Sequence, residues 1–198
     1  ELMRAGKTPE QALAGLVAAD PLASNRQVSM LAADGTAAVR TGDDCIPAAG
    51  HRIGDGVTAQ ANCVEGPQVW ESMVDAFVEA EGSLQRRLLG ALDAAEAAGG
   101  DWRGSQAAGI LVVPAEGQPW DTVCDVRVDD HLDPLGELRR LLDLHEGYTA
   151  LGEVDDSAEI ARRTRLPVLD VHFAELFDAA RAGDLERGRS LVDELLRQ

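Results

Sequence analysis

Lysine is almost missing from this sequence: Lys7 is the only one in 198 residues, so every other base is an arginine. A mechanism built on a lysine nucleophile therefore has one candidate. Cysteine is scarce as well. Cys45, Cys63 and Cys124 are odd in number, widely spaced and without a Cys-x-x-Cys pair. That argues against a disulfide framework and a cysteine-rich zinc site, and makes a reducing cytoplasm the expected compartment. No apolar run approaches the roughly 18 residues of a membrane span. The longest, Ala107 to Ala115, has the length of one buried strand. Neither His-x-x-x-His nor His-Glu-x-x-His occurs, and the Gly-rich segment from Gly99 to Gln106 lacks the Gly-Lys-Ser/Thr ending of a phosphate loop. The sequence implies no cofactor.

What is abundant is acid. Asp and Glu total 35 against 18 Lys and Arg, a net charge of −17. Phosphate backbones and anionic membrane surfaces are repelled, so neither nucleic acid nor membrane is an expected partner. Apolar residues make up 45%, enough for a proper core. The chain opens at Glu1-Leu2-Met3-Arg4, which reads as the last turn of a helix, and further sequence is expected upstream.

Thr8-Pro9-Glu10-Gln11 carries a helix start: a capping Thr, Pro at the first helical position and Gln where a capping box wants it. Asp20-Pro21 stops that helix. Gln27 to Ala33 and Thr36 to Thr41 read as strands joined by Asp34-Gly35, a hairpin turn with both central residues at positive φ. Gly42 to Gly56 reads as a loop, and Val57 to Cys63 as a strand. Two helices follow, one opened by Gly66-Pro67 and one capped by Ser83 and ended by Gly99-Gly100. Gln106 to Pro114 is nearly continuous in apolar residues and predicts a strand buried on both faces. Val123 to Asp129 alternates as a half-buried strand. Asp133-Pro134 starts a further helix. From about Gly152 the pattern is all helix, with a start at Pro167 and a break at Gly183-Asp184 before Leu185 to Arg197. Strands that pair antiparallel and helices in blocks predict an α+β fold, with helices covering two sheets packed face to face. The expected division is residues 1–151 for this domain and 152–198 for a C-terminal helical appendage.

Three segments bear groups that do chemistry. Gly99-Gly100-Asp101-Trp102-Arg103-Gly104-Ser105-Gln106 joins a helix to a strand. Its glycines allow close approach of a ligand, while Asp101, Arg103 and Gln106 offer a carboxylate, a planar fork and an amide. By composition alone the segment reads first as a helix end followed by an internal Asp101–Arg103 pair. Asp129-Asp130-His131-Leu132-Asp133-Pro134 lies between a strand and a helix. Asp130 and His131 can orient a base, or with Asp129 hold a hard cation, or the acids can simply favour the positive end of the helix. Gln60-Ala61-Asn62-Cys63 closes a strand. Asn62 can donate to a developing oxyanion. Cys63 is a nucleophile if a base lies close and a small core residue otherwise.

Together these segments, with Thr41-Gly42…Cys45-Ile46-Pro47…Gly50-His51 before them and Arg127-Val128-Asp129-Asp130-His131…Asp133-Pro134 after, resemble a bacterial and archaeal family catalogued as domain-of-unknown-function family 1028. The resemblance covers roughly residues 1–146. It implies membership of the N-terminal-nucleophile (Ntn) hydrolase superfamily and hence a four-layer α-β-β-α sandwich, incomplete at its N-terminus. It also implies amide-bond hydrolysis by an N-terminal Thr, Ser or Cys whose α-amino group is the base. Glu1 is no such nucleophile, so that residue is expected upstream. Asn62, Arg103, Gln106, Asp130 and His131 are then the supporting shell around a small-molecule substrate, an amide or related acyl compound. The competing expectation is a non-catalytic acidic interaction module that uses the same sandwich and the helical tail. A second copy of the chain remains open as a partner in either case.

Overall fold

The computed structural model describes residues 1–118, 120–153 and 171–195. The chain divides into two compact units, one formed by residues 1–125 and 129–135, the other by 126–128 and 136–198. It is a mixed α+β protein with small antiparallel sheets.

The first unit opens with α1 (Pro9–Ala19). The capping box forms as the sequence predicts: Thr8 Oγ1 accepts from the Gln11 backbone at 3.3 Å, and Gln11 Oε1 accepts from the Thr8 backbone at 3.2 Å. Two of the donors that a helix start leaves without intrahelical partners are thereby satisfied. Strands β1 (Gln27–Leu31) and β2 (Ala37–Thr41) pair antiparallel, with Gln27 opposite Thr41 and Leu31 opposite Ala37. Their turn differs from the expected one. Only Gly35 takes positive φ (86°), the Gly35 N–H bonds to the Ala32 carbonyl, and the Asp34 carboxylate accepts from the Thr36 N–H at 2.9 Å. With five residues, Ala32 to Thr36, between the two strands, Asp34 need not take positive φ.

The second departure is β3 (Gly50–Gly54), which lies inside the stretch expected to be loop. It pairs antiparallel with β4 (Val57–Ala61), His51 opposite Gln60. Its glycines hide it from pattern reading, yet packing demands them. A Cβ at Gly50 would overlap the Trp70 ring, and one at Gly54 would meet Val74 Cγ1 at 2.5 Å. Both contacts come from α2 (Gln68–Glu79), which lies across β3 and β4. A core of Ala59, Val64, Val69, Trp70 and Val74 forms there.

α3 (Leu84–Ala97) packs along α2 as the expected helical hairpin. Ser83 occupies the cap position, but its hydroxyl makes no cap bond. Instead Arg87 ties the helices together. It donates twice to the Phe77 carbonyl, at 3.0 and 3.2 Å, with its guanidinium 4.1 Å from the Phe77 ring centre. β5 (Ala108–Val112) packs against α3. It is covered on one face, not two: Ile110 and Val112 are buried, whereas Leu111 is 59% exposed. Continuous apolarity thus marks a strand here without marking two-sided burial.

In contact order, α1 lies on β1 and β2, that hairpin meets β3 and β4, and α2 lies beyond them. β6 (Cys124–Val128) alternates as expected, with Cys124, Val126 and Val128 buried. In the second unit, α4 (Pro134–Glu153) buries Leu138 and Leu142 completely. Helices α5 (Val171–Arg181) and α6 (Leu185–Leu195) form a pair around Ala179 and Leu191, turned at Gly183 (φ 69°). Asp184 Oδ1 accepts from the Arg187 N–H at 3.0 Å at the start of α6. The helix start expected at Pro167 lies outside the described residues. Among the described residues no helix is long and apolar enough to cross a membrane.

Replacing Gly50 by Ala should destabilise the protein by about 1–3 kcal/mol, because the methyl group displaces Trp70 from a packed core. Urea unfolding measures this; an unchanged midpoint would contradict the close approach of α2 to β3.

Candidate functional site

Side chains alternate between the faces of a strand, so the register fixes which residues of the first hairpin look toward the second. Gln27, Ser29 and Thr41 do so from β1 and β2, and His51 and Gln60 meet them from β3 and β4. A space between two sheets is ordinarily filled by apolar side chains. Here one end of it is polar.

Gln27 is the hub. Its Nε2 lies 2.9 Å from the Ala61 carbonyl, 3.1 Å from Thr41 Oγ1 and 3.2 Å from the Gly50 carbonyl, and its two protons serve these three acceptors. Its Oε1 accepts from Asn62 Nδ2 at 2.7 Å. Cys63 Sγ donates to Asn62 Oδ1 at 3.3 Å. Thr41 Oγ1 lies 2.9 Å from His51 Nδ1. Gln60 Nε2 donates to Ser29 Oγ at 3.2 Å, while Gln60 Oε1 is buried with no hydrogen-bond partner among the described residues. Cys63 is 1% exposed and holds a left-handed backbone (φ 57°), so its sulfur is a core atom beyond the reach of a substrate.

The strand end continues into the Gly-rich segment. The Trp102 N–H bonds to the Cys63 carbonyl at 3.0 Å, and Val64 bridges to Asp101. Arg103 grips Asp101 with two parallel bonds, Nε to Oδ1 at 2.9 Å and Nη2 to Oδ2 at 2.6 Å. The Arg103 side-chain hydrogen bond, above all, holds the Asp101 carboxyl below the ordinary aspartate range; burial opposes it, and the Arg103 backbone N–H and charge add smaller downward pulls. The same pairing pushes the Arg103 guanidinium up, chiefly through its bond to Asp101 and that carboxylate's charge. An open cavity of about 550 Å³ lies along Asp101, Arg103, Gly104, Ser105, Gln106 and Ala107. Gln106 Nε2 donates to Asp130 Oδ1 at 2.9 Å, and the His131 N–H donates to the Gln106 carbonyl at 3.0 Å. His131 Nδ1 is engaged locally by the backbone of Asp133.

The residues singled out in the sequence therefore fall into two neighbourhoods. Arg103 and Gln106 share a cavity wall, with Asp130 and His131 bound to Gln106. Asn62 belongs to the inter-sheet cluster and spends its amide on Gln27. Among the described residues no group of three or more His, Cys, Asp or Glu is placed to hold a metal ion. Sequence reasoning missed Gln27 and Ser29. The hairpin register held the signal, since it sets Gln27 opposite Thr41.

The architecture and this polar strand-end cluster define an α+β protein with a group of hydrogen-bonded polar side chains where two hairpins meet. The chain belongs to the family of unknown function DUF1028, whose model matches residues 1–138. It is similar to protein SPO2555 from Silicibacter pomeroyi, of the same family. The two are 31% identical with a TM-score of 0.64, over 71% of this chain and 59% of that one. The chain thus spans 59% of that protein's length. No curated protein matches it.

Because the folded pKa of Asp101 lies below its unfolded value, the pair stabilises the protein above about pH 4. That contribution disappears as pH falls through the folded pKa. Carbon-13 NMR titration should find the Asp101 midpoint below the ordinary range and Arg103→Ala should raise it; an ordinary midpoint in the unaltered protein would contradict the pairing.

Proposed function

We propose that this chain is the substrate-holding body of an Ntn-type hydrolase that cleaves a small amide or related acyl compound. The reading takes the fold as an α-β-β-α sandwich, and the succession α1, first hairpin, second hairpin, α2 supports it. The observation that carries the function is the polar cavity beside Arg103. With Nε and Nη2 committed to Asp101, Nη1 is left to face a ligand, and a guanidinium so held is suited to a carboxylate. Gln106 is steadied by Asp130 and presents its amide oxygen to a ligand N–H. Asp130 and His131 act as positioning residues through Gln106. Asn62 fixes the strand end by way of Gln27.

In this reading the attacking group is the N-terminal residue of the mature protein, with its own amine as base. The substrate carries a carboxylate on one side of the scissile amide, and a reducing cytoplasm suits the three free cysteines.

Turnover by the mature full-length protein should be measured on a panel of small N-acyl amino acids. Arg103→Ala should raise KM roughly 10- to 100-fold with kcat little changed, the loss of a charged hydrogen bond made equally in ground and transition states. No turnover across the panel, or an Arg103→Ala enzyme with unchanged KM, would overturn this assignment.

A further inference from the structure

The inter-sheet cluster contains more than a clasp. Its bonds run in one direction. The Cys63 thiol donates to Asn62, Asn62 donates to Gln27, and Gln27 donates to Thr41 Oγ1. A Gln Nε2 has no lone pair to offer, so Thr41 Oγ1 is the acceptor in that pair. The hydroxyl keeps its own proton to give, and His51 Nδ1 lies 2.9 Å away, an acceptor in the tautomer that carries its proton on Nε2. A hydroxyl beside an imidazole lone pair, with an amide N–H holding the same oxygen in place, is an arrangement that activates an alcohol. The imidazole is exposed and Thr41 is half-buried, so a small acyl compound can reach both. Directly across the strand pair from His51, Gln60 has a buried amide oxygen without a donor. A buried acceptor left open costs about 1–3 kcal/mol, and the N–H of an amide ligand would satisfy it.

We propose that Thr41 is an acyl-accepting nucleophile with His51 as its general base, forming an acyl-transfer site for small acyl compounds. This site goes beyond the cavity beside Arg103 and needs no N-terminal nucleophile. The Thr41 O–H bond breaks as its proton passes to His51 Nδ1, and Oγ1 forms a bond to the acyl carbon. The bond from that carbon to its leaving group breaks, and the leaving group takes the proton from His51. Water then attacks the Thr41 ester, gives its proton to His51 and releases the acid, and Thr41 recovers its proton. The net change is acyl compound plus water to acid plus leaving group. Gln27 holds the hydroxyl in place through its Nε2 bond to Oγ1.

The probe is p-nitrophenyl acetate, applied to the full chain and followed by intact mass and peptide mapping. One acetyl group should appear on the peptide containing Thr41. Thr41→Ser should keep the label, and Thr41→Val should lose it while retaining the melting temperature within a few degrees. His51→Gln should slow labelling at least tenfold and flatten the rise of its rate with pH. Acetyl found only on Lys7 or the terminal amine would overturn the proposal, as would labelling that His51→Gln leaves unchanged. If Thr41→Val unfolds the chain, the Ser and His51→Gln variants decide by the same two readouts.

Discussion

One side-chain amide holds the meeting point of the two hairpins. Gln27 stands at the first residue of β1 and reaches the ends of β2, β3 and β4, joining two hairpins that belong to separate sheets. The Gly50 and Ala61 carbonyls at that strand end find their donor in Nε2. The amide also fixes its own orientation: Asn62 donates to Oε1, so Nε2 must face the carbonyls and Thr41. A network of this kind confers uniqueness of arrangement more than stability.

The cluster and the cavity beside Arg103 are coupled through a short run of chain. Asn62 and Cys63 belong to the clasp, and Cys63 and Val64 pair with Asp101 and Trp102. Asp101 in turn orients Arg103. A continuous run of hydrogen bonds thus links the strand ends to the guanidinium.

Much of the fold was legible because local signals were strong. The Thr8–Gln11 capping box, the alternation of Cys124 to Val128 and the helix start at Gly66-Pro67 each depend on neighbours in sequence. What was hidden depends on partners far along the chain. β3 is masked by Gly50 and Gly54, which are there to let Trp70 and Val74 approach. Leu111 is exposed because only one face of β5 is covered, a fact about the surroundings that no run of apolar letters contains. The site was half legible for the same reason. Gln106, Asp130 and His131 stood out by composition and come together through direct bonds. Gln27 sits in an ordinary strand pattern, and its role appears only when the register sets it beside Thr41, Gly50 and Ala61.

A double-mutant cycle between Gln27 and Asn62 probes the clasp most directly. Gln27→Ala, Asn62→Ala and the double variant would be unfolded in urea and their free energies compared. Residues that share one hydrogen-bond network should show a coupling of about 0.5–3 kcal/mol, the second truncation costing less once the first is made. Strictly additive losses would mean that the two amides act independently and that the strand ends are held by something else.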